Sequence, residues 1–130
     1  MIMKSLANAA KIGIAAGAFA LGLVGLAGTA AAAPSTSFEV CSPLGCAVQS
    51  VRGTAENVGG RIRVVATVSD SSPSDTLTAR FVFSGSTTEV KNVIINDDTQ
   101  TLVLQSGPFQ TKLTVSACGG GGCTTKPIPL

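Results

Sequence analysis

The chain has no histidine, no tryptophan and no tyrosine, and phenylalanine supplies all five of its aromatic side chains. Without histidine, the commonest general base and the commonest metal ligand are both missing. Without tryptophan or tyrosine, the rings most used at interfaces and as stacking platforms are missing too. Charge is also sparse, at 12% of residues, with nine Lys+Arg against seven Asp+Glu. Lys4 and Lys11 account for the whole excess, so the rest of the chain is formally neutral. Nucleic-acid binding depends on surplus cations meeting phosphate, and no such surplus exists beyond the leader. Nucleic acid is therefore not expected as a partner.

Catalytic signals are equally thin. No Gly-x-Ser-x-Gly or Ser-x-x-Lys context exposes a nucleophile. The only paired carboxylates are Asp97-Asp98, and neighbours in a strand or tight turn point apart, which defeats acid and base work on one bond. The expectation is a protein that is not an enzyme and uses no cofactor.

What is present begins with a leader. Lys4 and Lys11 form a basic start, Ile12 to Ala27 an apolar run of Ala, Gly, Leu and Val, and Gly28 to Ala33 a small-residue exit before Pro34. This is the three-part layout of a secretory signal. Ala30-x-Ala32 fits the peptidase and Pro34 blocks the next site, so residues 1–32 are expected to be removed and the secreted domain to span 33–130. The competing reading, a retained anchor, is opposed by Lys11 and by the alanine and glycine that dilute the apolar run. No cysteine stands directly after the cut, the first being Cys41, so no lipid anchor is indicated, and no membrane span is expected after cleavage. The expected location is outside the cell or in its envelope.

Four cysteines in a short exported chain read as two disulfides. Cys41 and Cys46 enclose Ser-Pro-Leu-Gly, and Cys118 and Cys123 enclose four glycines. Proline and glycine in the first segment favour a turn that brings Cys41 opposite Cys46, and the glycines permit the same at Cys118 and Cys123. Local pairing is expected on that basis. Cross-pairing of the two ends would restrict the unfolded chain more strongly and stays open at this point. A four-cysteine zinc site is a further alternative, although such sites use shorter knuckles. No metal is expected.

Beyond the leader the dominant pattern is alternation, the period of half-buried strands. Ile62, Val64, Ala66 and Val68 alternate with Arg61, Arg63, Val65 and Thr67, and Leu77, Ala79, Phe81 and Phe83 with Thr78, Arg80, Val82 and Ser84. Phe109, Thr111, Leu113, Val115 and Ala117 alternate with Gln110, Lys112, Thr114 and Ser116. Turn signals separate these runs at Asn57 to Gly60, Ser69 to Asp75, Ser84 to Ser86, Asn96 to Asp98 and Ser106 to Pro108. The layout predicts an all-β fold: a small immunoglobulin-like antiparallel β-sandwich of about seven strands, near 36–41, 46–54, 60–69, 77–84, 87–95, 100–105 and 109–117. "Immunoglobulin-like" is a statement of architecture, since the Cys…Trp…Cys spacing and the corner tyrosine are absent. Residues 124–130 read as a short tail held extended by Pro127 and Pro129.

Three surface features invite functional readings. Asn96-Asp97-Asp98-Thr99 offers oxygens to a calcium ion, but the same residues suit a hairpin tip. Arg61, Arg63, Arg80, Lys91 and Lys112 fall on expected outward faces, as a basic stripe or as charges that guard strand edges. The run Val90 to Ile95 is apolar on both faces toward its end and reads as a central strand; the alternative is an exposed patch in which Val93 and Ile95 lie beside Val65, Val82 and Val103 as a binding surface for a partner or a small apolar ligand.

An export signal, four cysteines and a Thr/Val/Gly-rich sandwich, with the late pair Cys118 and Cys123, resemble the actinobacterial enediyne-binding apoproteins of the neocarzinostatin type. The resemblance is one of architecture, since the first pair encloses only four residues where that family encloses a longer loop. The expected function is a secreted, non-enzymatic binding or structural role at or outside the envelope, toward a protein, a glycan or a small apolar ligand. Two alternatives are an inhibitor or effector presenting the disulfide-locked loop Ser42 to Gly45, and a carrier of a small apolar ligand. A contiguous apolar surface patch favours the binding role, a protruding loop the inhibitor, and an internal cavity the carrier.

Overall fold

A computed structural model describes residues 34–130; the leader over 1–32 and its cleavage before Ala33 lie outside the described residues. Eight strands follow in order: β1 (Ser35–Cys41), β2 (Gln49–Val58), β3 (Arg61–Asp70), β4 (Leu77–Gly85), β5 (Thr88–Ile95), β6 (Asp98–Gln105), β7 (Gln110–Gly119) and β8 (Gly122–Ile128). They form two four-stranded sheets, β1-β2-β3-β6 and β5-β4-β7-β8, with every neighbouring pair antiparallel. The chain changes sheet after β3, after β5 and again after β6. The strand order therefore interlocks two consecutive pairs, β3 and β4 with β6 and β7.

Alternation accounts for the core. Ile62, Val64, Ala66 and Val68 from β3 meet Leu77, Ala79, Phe81 and Phe83 from β4 and Leu113, Val115 and Ala117 from β7, all buried. Val40, Val51 and Ala55 extend this layer toward β1, and Ile95 and Ile128 close it from the outer strands of the second sheet. β-branched and aromatic side chains on a pleated surface pack across two sheets in this way, with the polar phase left to water.

The eighth strand corrects the sequence reading, which took 124–130 for a tail. Thr124 pairs with Ala117, Lys126 with Val115 and Ile128 with Leu113. Pro127 is tolerated because β8 is an edge strand, where one side of the backbone needs no donor. The chain enters β8 through a two-residue turn at Gly120 and Gly121, whose φ values of 65° and 86° are those of a type I′ hairpin turn that only residues at ease with positive φ can make. The four glycines are thus a hairpin tip.

Both disulfides are local, Cys41 to Cys46 and Cys118 to Cys123. Cys118 and Cys123 are direct cross-strand partners on β7 and β8. The first bridge closes a turn in which Gly45 N–H donates to Ser42 O at 2.9 Å and Ser42 Oγ accepts from Leu44 N–H at 3.2 Å. Pro43 and Leu44 lie against Gly122 and Gly120, where added side chains would meet them. The two stapled turns therefore pack on each other at one end of the sandwich. Beneath them Gln49, wholly buried, donates through Nε2 to Asp75 O at 3.3 Å, while its Oε1 occupies the space a side chain on Gly119 would need. With every sulfur committed to a disulfide, the four-cysteine zinc alternative is excluded. Glu39, whose carboxylate lies near Cys41 and Cys46, instead pairs with Arg52.

Each bridge joins cysteines only five positions apart, so in the chain-entropy account each contributes only about 2 kcal/mol. The interlocked core supplies the rest. Reduction is expected to lower the urea midpoint while far-UV circular dichroism keeps its β signature; complete unfolding in reductant alone would contradict this division.

Candidate functional site at the bulged end

The five valine and isoleucine positions picked out in the sequence are not brought together. Val65 and Val103 are cross-strand partners on the outer face of the first sheet. Val82 lies on the outer face of the second sheet, paired with Val90. Val93 is half-buried against the core and Ile95 is only 4% exposed. β5 is an edge strand rather than the central one expected, and it presents the opposite phase to water, Thr88, Val90, Asn92 and Ile94. The inversion arises because β5 is apolar in both phases toward its end, so its neighbours decide which phase turns in.

The basic residues do not form one stripe either. Arg61 and Arg63 project from β3, and Arg80 and Lys112 from the other sheet. Lys91 shares the phase of Val93 and Ile95 and points inward at the edge. Asn96 and Asp97 turn the chain between β5 and β6, Asp97 at φ 50°. Thr99 Oγ1 is bonded to Ser69 Oγ at 3.1 Å, and Asn96, with its amide oriented to suit its neighbours, donates to Ser72 O and Asp75 O at 3.2 Å. These oxygens and amides are used in joining loops.

The unusual geometry lies at the opposite end, where β7 begins. Ser84 pairs with Lys112, but Gly85 pairs with Gln110, so Thr111 is an extra residue on β7. Such a bulge reverses the phase of everything before it. Strict alternation places Phe109 inside and Gln110 outside. The structure has Gln110 fully buried and Phe109 72% exposed, which corrects the sequence expectation for both. Gly85 is the residue that permits this crossing, because a side chain there would collide with Phe109 O and Gln110.

The buried Gln110 is bound from several sides. Its Nε2 donates to Thr87 Oγ1 at 3.0 Å and Glu89 Oε2 at 2.8 Å. Its backbone N–H donates to Gly60 O at 2.8 Å, and its carbonyl accepts from Asn57 Nδ2 at 3.0 Å. Asn57 Oδ1 in turn accepts from Gly60 N–H at 2.9 Å. Next door, Ser106 Oγ accepts from Ile62 N–H at 2.8 Å, and the Glu89 carboxylate accepts from Gly107 N–H at 2.9 Å. The loop 106–110 is clamped by side chains from β2, β5 and the turn between β4 and β5.

Phe109 is the consequence of that clamp. Its φ is 64°, the left-handed region, which costs a non-glycine L-residue about 1–2 kcal/mol. Its carbonyl accepts from Ser86 N–H at 3.1 Å, and both chain neighbours are fixed, so the surroundings over-determine the conformation. The ring stands beside a shallow open depression of about 350 Å³ formed with Ser84, Gly85, Ser86, Thr111 and Lys112. Phe109 thus borders a depression rimmed by hydroxyls and one ammonium. Sequence reasoning missed it because Phe109 fits the core phase of β7.

Comparison with known proteins finds no matching family model, no similar curated protein and no similar solved structure. The likeness to neocarzinostatin-type apoproteins thus rests on sandwich architecture and the Cys118 and Cys123 spacing alone.

The bond from Gln110, then that from Gly107, holds the Glu89 carboxyl below the usual carboxylate range, with smaller help from Lys91 and Arg61. A depressed carboxyl stabilises the fold above its unfolded pKa and loses that contribution as pH falls through the folded value. The protection of the Gly107 amide, relative to intrinsic exchange at each pH, is expected to fall as pH drops below the ordinary glutamate value, and Glu89→Gln is expected to flatten that dependence. An unchanged profile in the variant would show that Glu89 does not control the loop.

Proposed function

We propose that the protein is an exported, non-enzymatic binding module of immunoglobulin-like architecture that engages a partner at or outside the cell envelope through Phe109. One observation carries the reading: a phenylalanine held in a costly backbone conformation with most of its ring in solvent. The hydrogen bonds around Gln110 sustain that arrangement against its strain, and strain that the surroundings maintain is a mark of sites kept for use. A rigid exposed aromatic loses little entropy on contact, which makes it a good interface anchor. The strand order supports the architecture, with β3 beside β6 in one sheet and β4 beside β7 in the other. The two disulfides suit an oxidising compartment, in keeping with export. The absence of histidine supports the non-enzymatic reading.

The alternatives receive less support. An inhibitor loop at Ser42 to Gly45 would protrude, whereas Pro43 and Leu44 lie against the β7–β8 tip. An apolar-ligand carrier needs an internal cavity, whereas Phe81, Phe83, Ile62, Leu77 and Leu113 fill the space between the sheets.

Phe109→Gly separates function from stability. Glycine adopts the same φ without strain, so the variant is expected to be as stable as the parent or more stable by up to ~1 kcal/mol. It should also lose retention of whatever immobilised residues 33–130 hold from envelope protein, glycan and lipid fractions. Retention unchanged in a folded Phe109→Gly variant would defeat the proposal.

A further inference from the structure

We propose that β6 is a self-association edge, along which two copies of this chain pair antiparallel about a two-fold axis to join their first sheets. The four sheet edges are not alike. β8 carries Pro127 and an inward-facing Lys126, β5 carries inward-facing Glu89 and Lys91, and β1 carries an outward-facing Glu39 paired with Arg52 and is bridged by Lys126 of β8. Prolines and inward charges are the usual devices that stop an edge from taking on another strand. β6 has its one charge, Asp98, at its first position; from Thr99 to Gln105 it reads Thr-Gln-Thr-Leu-Val-Leu-Gln, without charge, proline or glycine. It is fully ladder-paired to β3 from Asp98 to Gln105 without a register shift, so its free side is a straight, unbroken row of alternate backbone donors and acceptors.

Its surroundings favour an occupant. On the other side of the sandwich, Lys126 Nζ reaches across from β8 to donate to Glu39 O on β1 at 3.1 Å, and the stapled turns pack together above. On the β6 side, Leu102 and Leu104 are only half-buried where they pack against the core, so their outer flanks still face water.

A second copy matches this edge better than a charged segment would. An isologous contact requires a strand to complement itself. In the antiparallel register centred on Leu102, Leu102 meets its own counterpart, Thr101 meets Val103, Gln100 meets Leu104 and Thr99 meets Gln105, with no charge opposed to a like charge. The two copies of Leu102 would cover each other, and each Leu104 would lie against the Gln100 stem of the second copy. On the outer face, where Thr101 and Thr99 already bond to Thr67 and Ser69, Val103, 57% exposed, would gain the Thr101 methyl of the second copy. The result is a continuous eight-stranded sheet that leaves Phe109 unused, so this contact stands apart from the proposed binding site.

Sedimentation velocity of residues 33–130 over a concentration series tests it. The parent is expected to shift from monomer to dimer with a Kd of ~10–100 µM. Thr101→Lys combined with Val103→Lys sets lysine against lysine at both symmetric pairs and is expected to leave only monomer. Thr101→Lys combined with Val103→Glu sets lysine against glutamate and is expected to restore the dimer. Circular dichroism confirms folding of each variant, since both positions are exposed. A parent that stays monomeric, a double-lysine variant that still dimerises, or a charge-swapped variant that stays monomeric would each overturn the proposal.

Discussion

The arrangement at the start of β7 depends on one extra residue. Thr111 opposes no residue of its own on β4, and that single insertion turns Gln110 inward and Phe109 outward. Everything else at this end answers to it. Leaving a buried polar group unpaired costs about 1–3 kcal/mol; Thr87 and Glu89 pair the Gln110 Nε2, and Gly60 and Asn57 pair its backbone N–H and carbonyl, while its buried Oε1 has no partner. Those partners fix the backbone on both sides of Phe109, and the fixed backbone holds the ring in solvent. Gly85 completes the device by leaving room for the crossing.

The two ends of the sandwich solve different problems. At one end, two short disulfides and a buried glutamine tie loops to each other. Such staples suit a small domain whose core alone has limited surface to bury. At the other end there is no covalent tie, and order comes from hydrogen bonds that converge on Gln110 and Gly107. The second end can therefore respond to acid through Glu89. Covalent ties and convergent hydrogen bonds are thereby separated along the length of the strands.

Much of this is legible in the sequence. The alternation of β3, β4 and residues 113–117 identifies the core faces because one phase of each run is wholly apolar while the other is mostly polar, Val65 and Val82 excepted. Local disulfides follow from Ser-Pro-Leu-Gly and from four glycines. Three features are not legible, each for a physical reason. The facing of β5 is ambiguous because Val90, Val93, Ile94 and Ile95 are apolar in both phases, so pairing with β4 decides it. β8 is hidden by glycines and two prolines that penalise an interior strand and are harmless at a hairpin tip and an edge. The bulge is invisible because it is a property of how β4 and β7 pair, and neither strand shows it alone. The available hint is the run Gly107, Pro108 and Gln110 ahead of a strand that would otherwise bury Phe109.

Because the chain contains no tryptophan or tyrosine, a single Phe109→Trp substitution gives a fluorescence signal from that position alone. If the bulge sets the phase as described, the indole introduced at position 109 emits at the long wavelength of a hydrated ring and is quenched freely by iodide. Phe81→Trp, at a wholly buried site, instead emits at shorter wavelength and is protected. A blue-shifted and shielded indole at position 109 in the folded protein would mean that this residue follows simple alternation into the core, and the account of this end of the molecule would fail.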